Sequence, residues 1–215
     1  MQIWTVVAPI VNNLEEPIYN SDLDDIIERT IVKYQNDKIT TIGDSTFSYC
    51  KKLTSINCLQ VTNIGYEAFS HCFALTSINF PKLNEIGAYA FSHCSALTSI
   101  TLPKVTTINY FAFSSCIALS SINLPEVTRI GAQAFNRCDS LTSISLPKLD
   151  RIDDYGFCNC TALTSVILSS PKIVFFYGSN LFDNTPIEAG TGYIYVPADL
   201  VDKYKANPYW SIYAD

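Results

Sequence analysis

The chain has 215 residues, of which 48% are hydrophobic and only 16% are charged, so it can bury a sizeable core and is not disordered over most of its length. Its formal net charge of −6 argues against nucleic acid or an anionic membrane surface as the main partner. No apolar run approaches the roughly 20 residues that a membrane-spanning helix needs, so membrane insertion is not expected.

The N-terminal segment, residues 1–38, is predicted to cap the rest of the chain. Its apolar run at residues 3–11 has no preceding lysine or arginine and no small-residue cleavage site, so we expect either no export by a signal peptide or a sequence that begins after one. Residues 21–29 are typical of a short amphipathic helix with an acidic first turn. Ile31, Tyr34 and Ile39 then fall on the columns of the repeat described next, as a degenerate first coil.

A repeat of 22 residues fills residues 39–170 and predicts a solenoid, because a coil this short cannot bury its apolar side alone. Six columns recur at this spacing. Their members are Ile42, Ile64, Ile86, Ile108, Ile130 and Ile152; Phe47, Phe69, Phe91, Phe113, Phe135 and Phe157; Cys50, Cys72, Cys94, Cys116, Cys138 and Cys160; Leu53, Leu75, Leu97, Leu119, Leu141 and Leu163; Ile56, Ile78, Ile100, Ile122, Ile144 and Val166; and Cys58, Phe80, Leu102, Leu124, Leu146 and Leu168.

Each coil is predicted to contain two short extended pieces and one tight turn. A Leu-x-x-Ile-x-Leu segment alternates like a strand and ends at a proline, which lacks a backbone donor. A second extended piece follows, at residues 105–108 and 127–130. Glycine is then expected to permit a turn, and alanine to suit a helical turn packed inward. The prolines are Pro81, Pro103, Pro125 and Pro147, the glycines Gly65, Gly87 and Gly131, and the alanines Ala68, Ala90, Ala112 and Ala134.

These units resemble the BspA-like subfamily of bacterial leucine-rich repeats, whose units read Leu-x-x-Ile-x-Leu-Pro, then Ile-Gly, then Ala-Phe-x-x-Cys. The resemblance covers about residues 39–168. It implies a right-handed, curved leucine-rich-repeat solenoid that is mixed α/β but dominated by strands, with a parallel β-sheet on one face and short helical or 3₁₀ turns. It also implies a surface or secreted binding protein, and similar arrays occur in phage-like particle proteins.

Residues 171–215 are predicted to close the stack, with an extended piece near residues 193–196 and a helix from Ala198 to about Ala206. The segment is rich in aromatic residues, which could bind sugars or partner proteins. A cap must also cover the last open coil, and the cap is the interpretation that we favour. The aromatic residues are Tyr193, Tyr195, Tyr204, Tyr209, Trp210 and Tyr213.

The cysteine column is predicted to be buried and reduced, because free cysteine behaves as a small hydrophobic residue. One or two disulfides, or a soft metal between neighbouring coils, are open alternatives. Cys158 replaces the serine or asparagine of other coils, so we expect it to face outward and to react fastest. His71 and His93, each beside a column cysteine, could together offer four zinc ligands. Their column also holds Ser115, Arg137 and Asn159, which favours a solvated loop.

The sequence predicts neither an enzyme nor a cofactor-binding or metal-binding protein. The only two histidines lie in that loop column, so neither is placed to activate a nucleophile. Asp150, Asp153 and Asp154 cluster, but neighbouring coils replace them with Thr128, Gly131 and Ala132, which indicates a solvated turn. A phosphate-binding glycine loop and a dinucleotide fingerprint are both missing from the sequence.

The outward side chains of the first predicted strands are the candidate contact surface. They are small, polar and uncharged, and they suit either a flat or polymeric ligand or simple exposure to solvent. The predicted ligand-binding residues are Ser77, Asn79, Ser99, Thr101, Ser121, Asn123, Ser143 and Ser145.

We therefore expect a non-catalytic binding module, an adhesin-like protein at the bacterial cell surface or secreted, that contacts a protein or a glycan. The alternative is a structural or receptor-binding component of a phage or phage-like particle, which the missing signal peptide favours. The sequence leaves the partner and the oligomeric state open.

Overall fold

A computed structural model describes residues 32–213 apart from residues 177 and 179. Within this range the chain winds as a solenoid of about seven turns, dominated by short parallel strands. The predicted helix at residues 21–29 and the first column position, Ile31, lie outside the described residues.

The Leu-x-x-Ile-x-Leu segments form the first side of the solenoid, as the alternation predicts. Their middle side chains point into the core and the flanking ones point outward, which is the period of a half-buried strand. The strands are β1 (Lys33–Gln35), β3 (Ser55–Asn57), β5 (Ser77–Asn79), β7 (Ser99–Thr101), β9 (Ser121–Asn123), β11 (Ser143–Leu146), β13 (Ser165–Leu168) and β15 (Tyr193–Tyr195).

A second side consists of two-residue strands, each ending in a buried apolar residue that continues the isoleucine column. They are β2 (Thr41–Ile42), β4 (Asn63–Ile64), β6 (Glu85–Ile86), β8 (Thr107–Ile108), β10 (Arg129–Ile130), β12 (Arg151–Ile152) and β14 (Phe175–Phe176). The last of these places Phe176 in register with Ile152, so the column continues into the C-terminal segment.

Neighbouring strands pair in parallel at the register of the repeat. Tyr34 lies opposite Ile56, so it continues the column of Ile56 into the first described coil. Hydrogen bonding on the first side runs in three groups, β1-β3-β5, β7-β9 and β11-β13-β15, and on the second side in two, β2-β4-β6 and β8-β10-β12-β14.

The third side is a stack of tight turns joined by backbone hydrogen bonds along the solenoid axis. The N–H of Phe69 donates to the carbonyl of Ala90, at 2.8 Å, and the same bond recurs in neighbouring coils. Two residues of each turn adopt positive φ, for example Tyr89 at 56° and His93 at 60°. Both point their N–H groups at the next coil, toward the carbonyls of Tyr110 and Ser114, and these bonds compensate for the backbone strain.

The column glycines have a different role from the one that the sequence predicts. The positive φ angles lie at non-glycine residues of the turn, whereas Gly65, Gly87 and Gly131 are not among the positive-φ residues. A Cβ on Gly87 would lie 2.4 Å from the carbonyl carbon of Gly65 in the preceding coil. Glycine is needed there because two backbones approach closely.

The core is a set of continuous ladders, one for each apolar column. The phenylalanine ladder stacks with ring centroids 5.3–5.8 Å apart and interplanar angles of 2–10°. It runs from Phe47 through Phe157 to Phe182, which adds a seventh ring beyond the regular repeats. Offset stacking of this kind adds to the hydrophobic effect of burying each ring.

The C-terminal segment continues the stack of coils. It contributes β14 and β15, then a 3₁₀ turn at Ala198–Leu200, a helix α1 (Val201–Ala206) and a second 3₁₀ turn at Ser211–Tyr213. The predicted helix is therefore present as a 3₁₀ turn that runs into one short α-helix. The division of the chain at residues 38 and 170 remains a proposal. Strands of the coils lie beyond both boundaries, at β1 before residue 38 and at β14 and β15 after residue 170.

Candidate functional site

The outward side chains of β3 to β13, which we name the serine face, lie on one side of the solenoid. All eight predicted ligand-binding residues are on this face, and all eight are exposed: Ser77, Asn79, Ser99, Thr101, Ser121, Asn123, Ser143 and Ser145. They form two rows, and within each hydrogen-bonded group the members of a row are direct neighbours on adjacent strands. The structure therefore brings the predicted residues together, although it does not test whether they bind a ligand.

Hydroxyl groups beside the serine face are committed to the fold. Thr54, Thr76 and Ser120 each donate to a carbonyl of the preceding coil, at 2.8, 3.1 and 3.2 Å. In contrast, the hydroxyl groups of Ser99 and Ser121 have no hydrogen-bond partner among the described residues. The serine row is thus free to bond to a ligand or to water.

The serine face continues into exposed aromatic residues at its C-terminal end. Tyr193 lies opposite Ser165 and Tyr195 opposite Ile167 across the β13–β15 pair. The exposed fractions are 66% for Tyr193, 53% for Tyr195 and 37% for Ile167. The sheet and the aromatic tail, treated as separate candidates in the sequence, therefore share one surface.

The remaining tail aromatics divide into buried and exposed residues. The Nε1 of Trp210 donates to the carbonyl of Val174, at 2.8 Å, and the N–H of Val174 donates to the hydroxyl of Tyr204, at 3.0 Å. Both aromatic side chains are buried. They cover the backbone just before β14, which supports the cap interpretation, whereas Tyr209 remains exposed.

The column thiols lie in the core, and each from Cys72 onward donates to a phenylalanine carbonyl of the preceding coil. The Sγ of Cys116 lies 3.1 Å from the carbonyl oxygen of Phe91, and the other four bonds measure 2.9–3.2 Å. Burial raises the pKa of Cys116 and of Cys160 to about 12. All eight thiols are free, so the reduced state that the sequence predicts is the one in this structure.

Cys158 is mostly buried, so the prediction that it faces outward is wrong. It stands in the column of Ser70, Ser92 and Ser114, which are themselves buried, and its exposed fraction is 8%. Asn159 Nδ2 donates to its sulfur, at 3.1 Å. It is still the most accessible of the eight thiols, because the others are at most 1% exposed.

We expect thiol labelling of the native protein to be slow, with Cys158 the first residue to react. Buried, protonated thiols react only when the structure opens. Mass spectrometry after a time course with iodoacetamide measures the order, and a Cys158→Ser variant should lose the earliest product. Early labelling of Cys94 or Cys116 would contradict the buried ladder.

The histidine column is a stack of rings and does not have the geometry of a zinc site. His71 stacks on Tyr49 and on His93, with centroids 4.4 Å apart in both pairs. The thiols of Cys72 and Cys94 point instead to carbonyls in the core. Across the described residues, no group of three or more histidine, cysteine or acidic side chains could hold a metal ion. Burial lowers the pKa of His71, and His93 lowers it further.

Asp153 belongs to an ion-pair cluster, so the predicted solvated turn is wrong for this residue. It accepts hydrogen bonds from Arg129, at 2.8 Å, and from Arg151, at 2.5 Å. Its side chain is only 14% exposed. The two arginines come from neighbouring coils, and the cluster therefore joins β10 to β12.

Two other exposed features were missed by sequence reasoning. Tyr66, Tyr89, Tyr110 and Phe111 form a cluster on the turn side, where the rings of Tyr89 and Phe111 stack at 4.6 Å. A cavity of about 370 Å³ at the C-terminal end is lined by Phe176, Asp183, Glu188, Tyr209 and Tyr213 among others. The aromatic cluster could be found only by reading two adjacent columns together.

Comparison with known families shows that the chain matches a leucine-rich-repeat family model. The family model described as BspA type Leucine rich repeat region matches residues 28–129 and 84–193, with six copies. A search of curated proteins finds no significant match. Across the described residues, none of the helices has the length and apolar character to cross a membrane.

Several solved bacterial structures have the same fold. A leucine-rich cell surface protein from Faecalibacterium prausnitzii is 33% identical over 66% of this chain and 40% of its own, with a TM-score of 0.60. A leucine-rich repeat protein from Treponema pallidum is 29% identical over 67% and 72%, with a TM-score of 0.64. One from Eubacterium ventriosum is 29% identical over 74% and 44%, with a TM-score of 0.65. The chain thus spans less than half the length of two of them.

Proposed function

Because this chain belongs to the BspA-type leucine-rich-repeat family, we propose that it is a non-catalytic binding module of a bacterial surface or secreted protein, in the manner of an adhesin. The family generally provides a scaffold without catalytic residues, which is consistent with this function. The similarity to a leucine-rich cell surface protein favours a role at the cell surface over a role in a phage or phage-like particle.

The observation that carries the proposal is the serine face with its aromatic end. The hydroxyl groups beside the serine row donate to backbone carbonyls within the fold, whereas the serine row and the two tyrosines of β15 are exposed. Uncharged hydroxyl and amide groups can bond to a protein or a glycan, and tyrosine rings provide apolar anchors. We place the contact surface on this face.

Replacing Ser99, Thr101, Ser121 and Asn123 together by glutamate tests the contact surface. These residues pair directly across β7 and β9, so the new charges repel each other and should cost about 1–3 kcal/mol of stability, which leaves the protein folded. The charges should abolish binding if the serine face is the contact. Binding is measured on arrays of immobilised glycans and extracellular proteins, and folding by circular dichroism.

The matched control carries the same added charge on exposed residues away from the serine face. Its substitutions to glutamate are at Asn84, Thr106, Ser140 and Ser169. The control should bind like the unmodified protein. A Phe113→Ala variant should lose about 3–5 kcal/mol of core stability and impair binding only through unfolding. Normal binding by the folded serine-face variant would move the contact elsewhere.

A further inference from the structure

The two sides of the solenoid end differently at the C-terminus. On the second side, Trp210 and Tyr204 bond to both backbone groups of Val174, directly before the last strand β14. On the first side, β15 is the last strand of its sheet and pairs only with β13. The first side therefore ends in an open strand edge.

The open edge has specific unpaired backbone groups. The N–H of Tyr193 donates to the carbonyl of Thr164, at 2.8 Å, which fixes the direction in which the strand alternates. The N–H and C=O of Ile194 consequently point away from β13, as does the N–H of Val196. None of these three groups has a hydrogen-bond partner among the described residues.

The edge has neither the charge nor the proline that often prevents strand addition. Natural edges are protected by lysine, by inward-pointing charge, by a bulge, by proline within the strand, by shortness or by a covering helix or loop, and β15 itself has three residues. From Thr191 to Val196 there is no charged residue and no proline, and the first proline is Pro197, after the strand. The exposed tyrosines flank the edge on the side of the serine face.

We propose that the outer edge of β15 binds an extended segment of a partner protein, which adds to the sheet as one further parallel strand. Backbone groups of the partner would bond to Ile194 and Val196, as in other cases of strand addition. The register of the stack defines the side chains that fit. Small polar residues would lie beside Tyr193 and Tyr195, and an apolar residue would lie beside Ile194, which is half-buried.

The site adjoins the aromatic end of the proposed contact surface, but its backbone groups are distinct from the side chains of β7 and β9, so the inference does not depend on the proposed function. The test uses a synthetic peptide with the sequence of residues 141–148, LTSISLPK, because that segment already pairs in parallel within the stack. The peptide is acetylated and amidated and is titrated into the ¹⁵N-labelled full chain. A second peptide, LTSIPLPK, has proline in place of the second serine, whose N–H would donate to the carbonyl of Ile194, and it therefore cannot complete the ladder.

We expect saturable shifts of the Ile194 and Val196 amide signals, and an affinity at least about tenfold weaker for the proline peptide, because it lacks a ladder donor. A Tyr193→Lys/Tyr195→Lys variant should weaken binding several-fold, because it removes the flanking rings. The matched control, Tyr66→Lys/Tyr110→Lys, changes exposed tyrosines on the turn side and should bind the peptide normally.

Equal shifts with both peptides, or shifts spread over other residues, would overturn the inference. So would concentration-dependent protection of Ile194 without peptide, because the occupant would then be a second copy of the chain. The glutamate variant of the serine face should keep full peptide binding. Loss of array binding in that variant and loss of peptide binding at β15 are therefore independent results.

Discussion

The free energy of unfolding is expected to fall steeply between pH 9 and pH 12, because the buried thiols must stay protonated in the folded state. Burial raises the pKa of Cys58, Cys116 and Cys160 from 9.0 to about 12. The folded pKa lies above the unfolded one, so the stabilisation is complete below pH 9 and is lost as the pH rises toward 12. Each such thiol lowers the folding equilibrium constant about tenfold per pH unit in this window.

The three thiols together predict a loss of about a thousandfold per pH unit at the steepest point. Cys72, Cys94 and Cys138 act in the same direction, because burial raises their pKa as well. Urea unfolding at pH 7, 9, 10 and 11 in the presence of a reductant measures the effect through the fluorescence of the buried Trp210.

A Cys116→Ser variant provides the control for the alkaline transition. The serine hydroxyl can donate to the carbonyl of Phe91 as the thiol does, but it does not titrate in this range. Its stability should therefore decline with pH less steeply, by about one proton. A stability that is the same at pH 7 and pH 10.5 would mean that the thiols are not enclosed by the core.

The apolar columns could be predicted from the sequence because a repeat shows the same position six times. Phe113 or Cys116 alone would not identify a buried ladder, but their recurrence every 22 residues does. The same argument applies to the coils at the two ends of the repeat array. Tyr34 and Phe176 depart from isoleucine, yet both occupy their columns in register.

The errors arose where a column was interpreted by residue type alone. The replacement of serine or asparagine by Cys158 predicts a surface position, but the serines of that column are buried beside the turn backbone. Residues with positive φ, such as Tyr89 and Phe111, are neither glycine nor asparagine. Their conformation is stabilised by hydrogen bonds to the next coil, and such bonds have no signature in one coil's sequence.

The candidate site was predicted in part for a related reason. Alternation along each strand places Ser99 and Thr101 outward, and the structure agrees. The sequence could not place Tyr193 and Tyr195 on that same surface, because β15 follows β13 by a different spacing from the regular coils. The continuity between the serine face and these tyrosines depends on the pairing of β13 with β15, which is a long-range contact.

Removal of residues 181–215 is expected to convert the protein into soluble aggregates or end-to-end oligomers. The deletion removes Phe182, whose ring covers Phe157 at a centroid distance of 5.8 Å, and it removes β15 from the edge of β13. An apolar end and a four-residue strand edge would then face solvent together, and both promote association. Size-exclusion chromatography of the truncated chain measures the outcome.

Three single substitutions at two adjacent residues distinguish a cap from an appendage. Trp210→Ala should destabilise the fold by about 3–5 kcal/mol. The ring is only 3% exposed, and loss of its Nε1 donor leaves the carbonyl of Val174 unpaired. Tyr209→Ala, at 54% exposure, should change the stability by no more than about 0.5 kcal/mol. Trp210→Phe should fall between them, since it keeps an aromatic ring and loses only the donor and part of the volume. If all three variants unfold at the same urea concentration, and the truncated chain remains a monomer, the C-terminal segment does not close the stack.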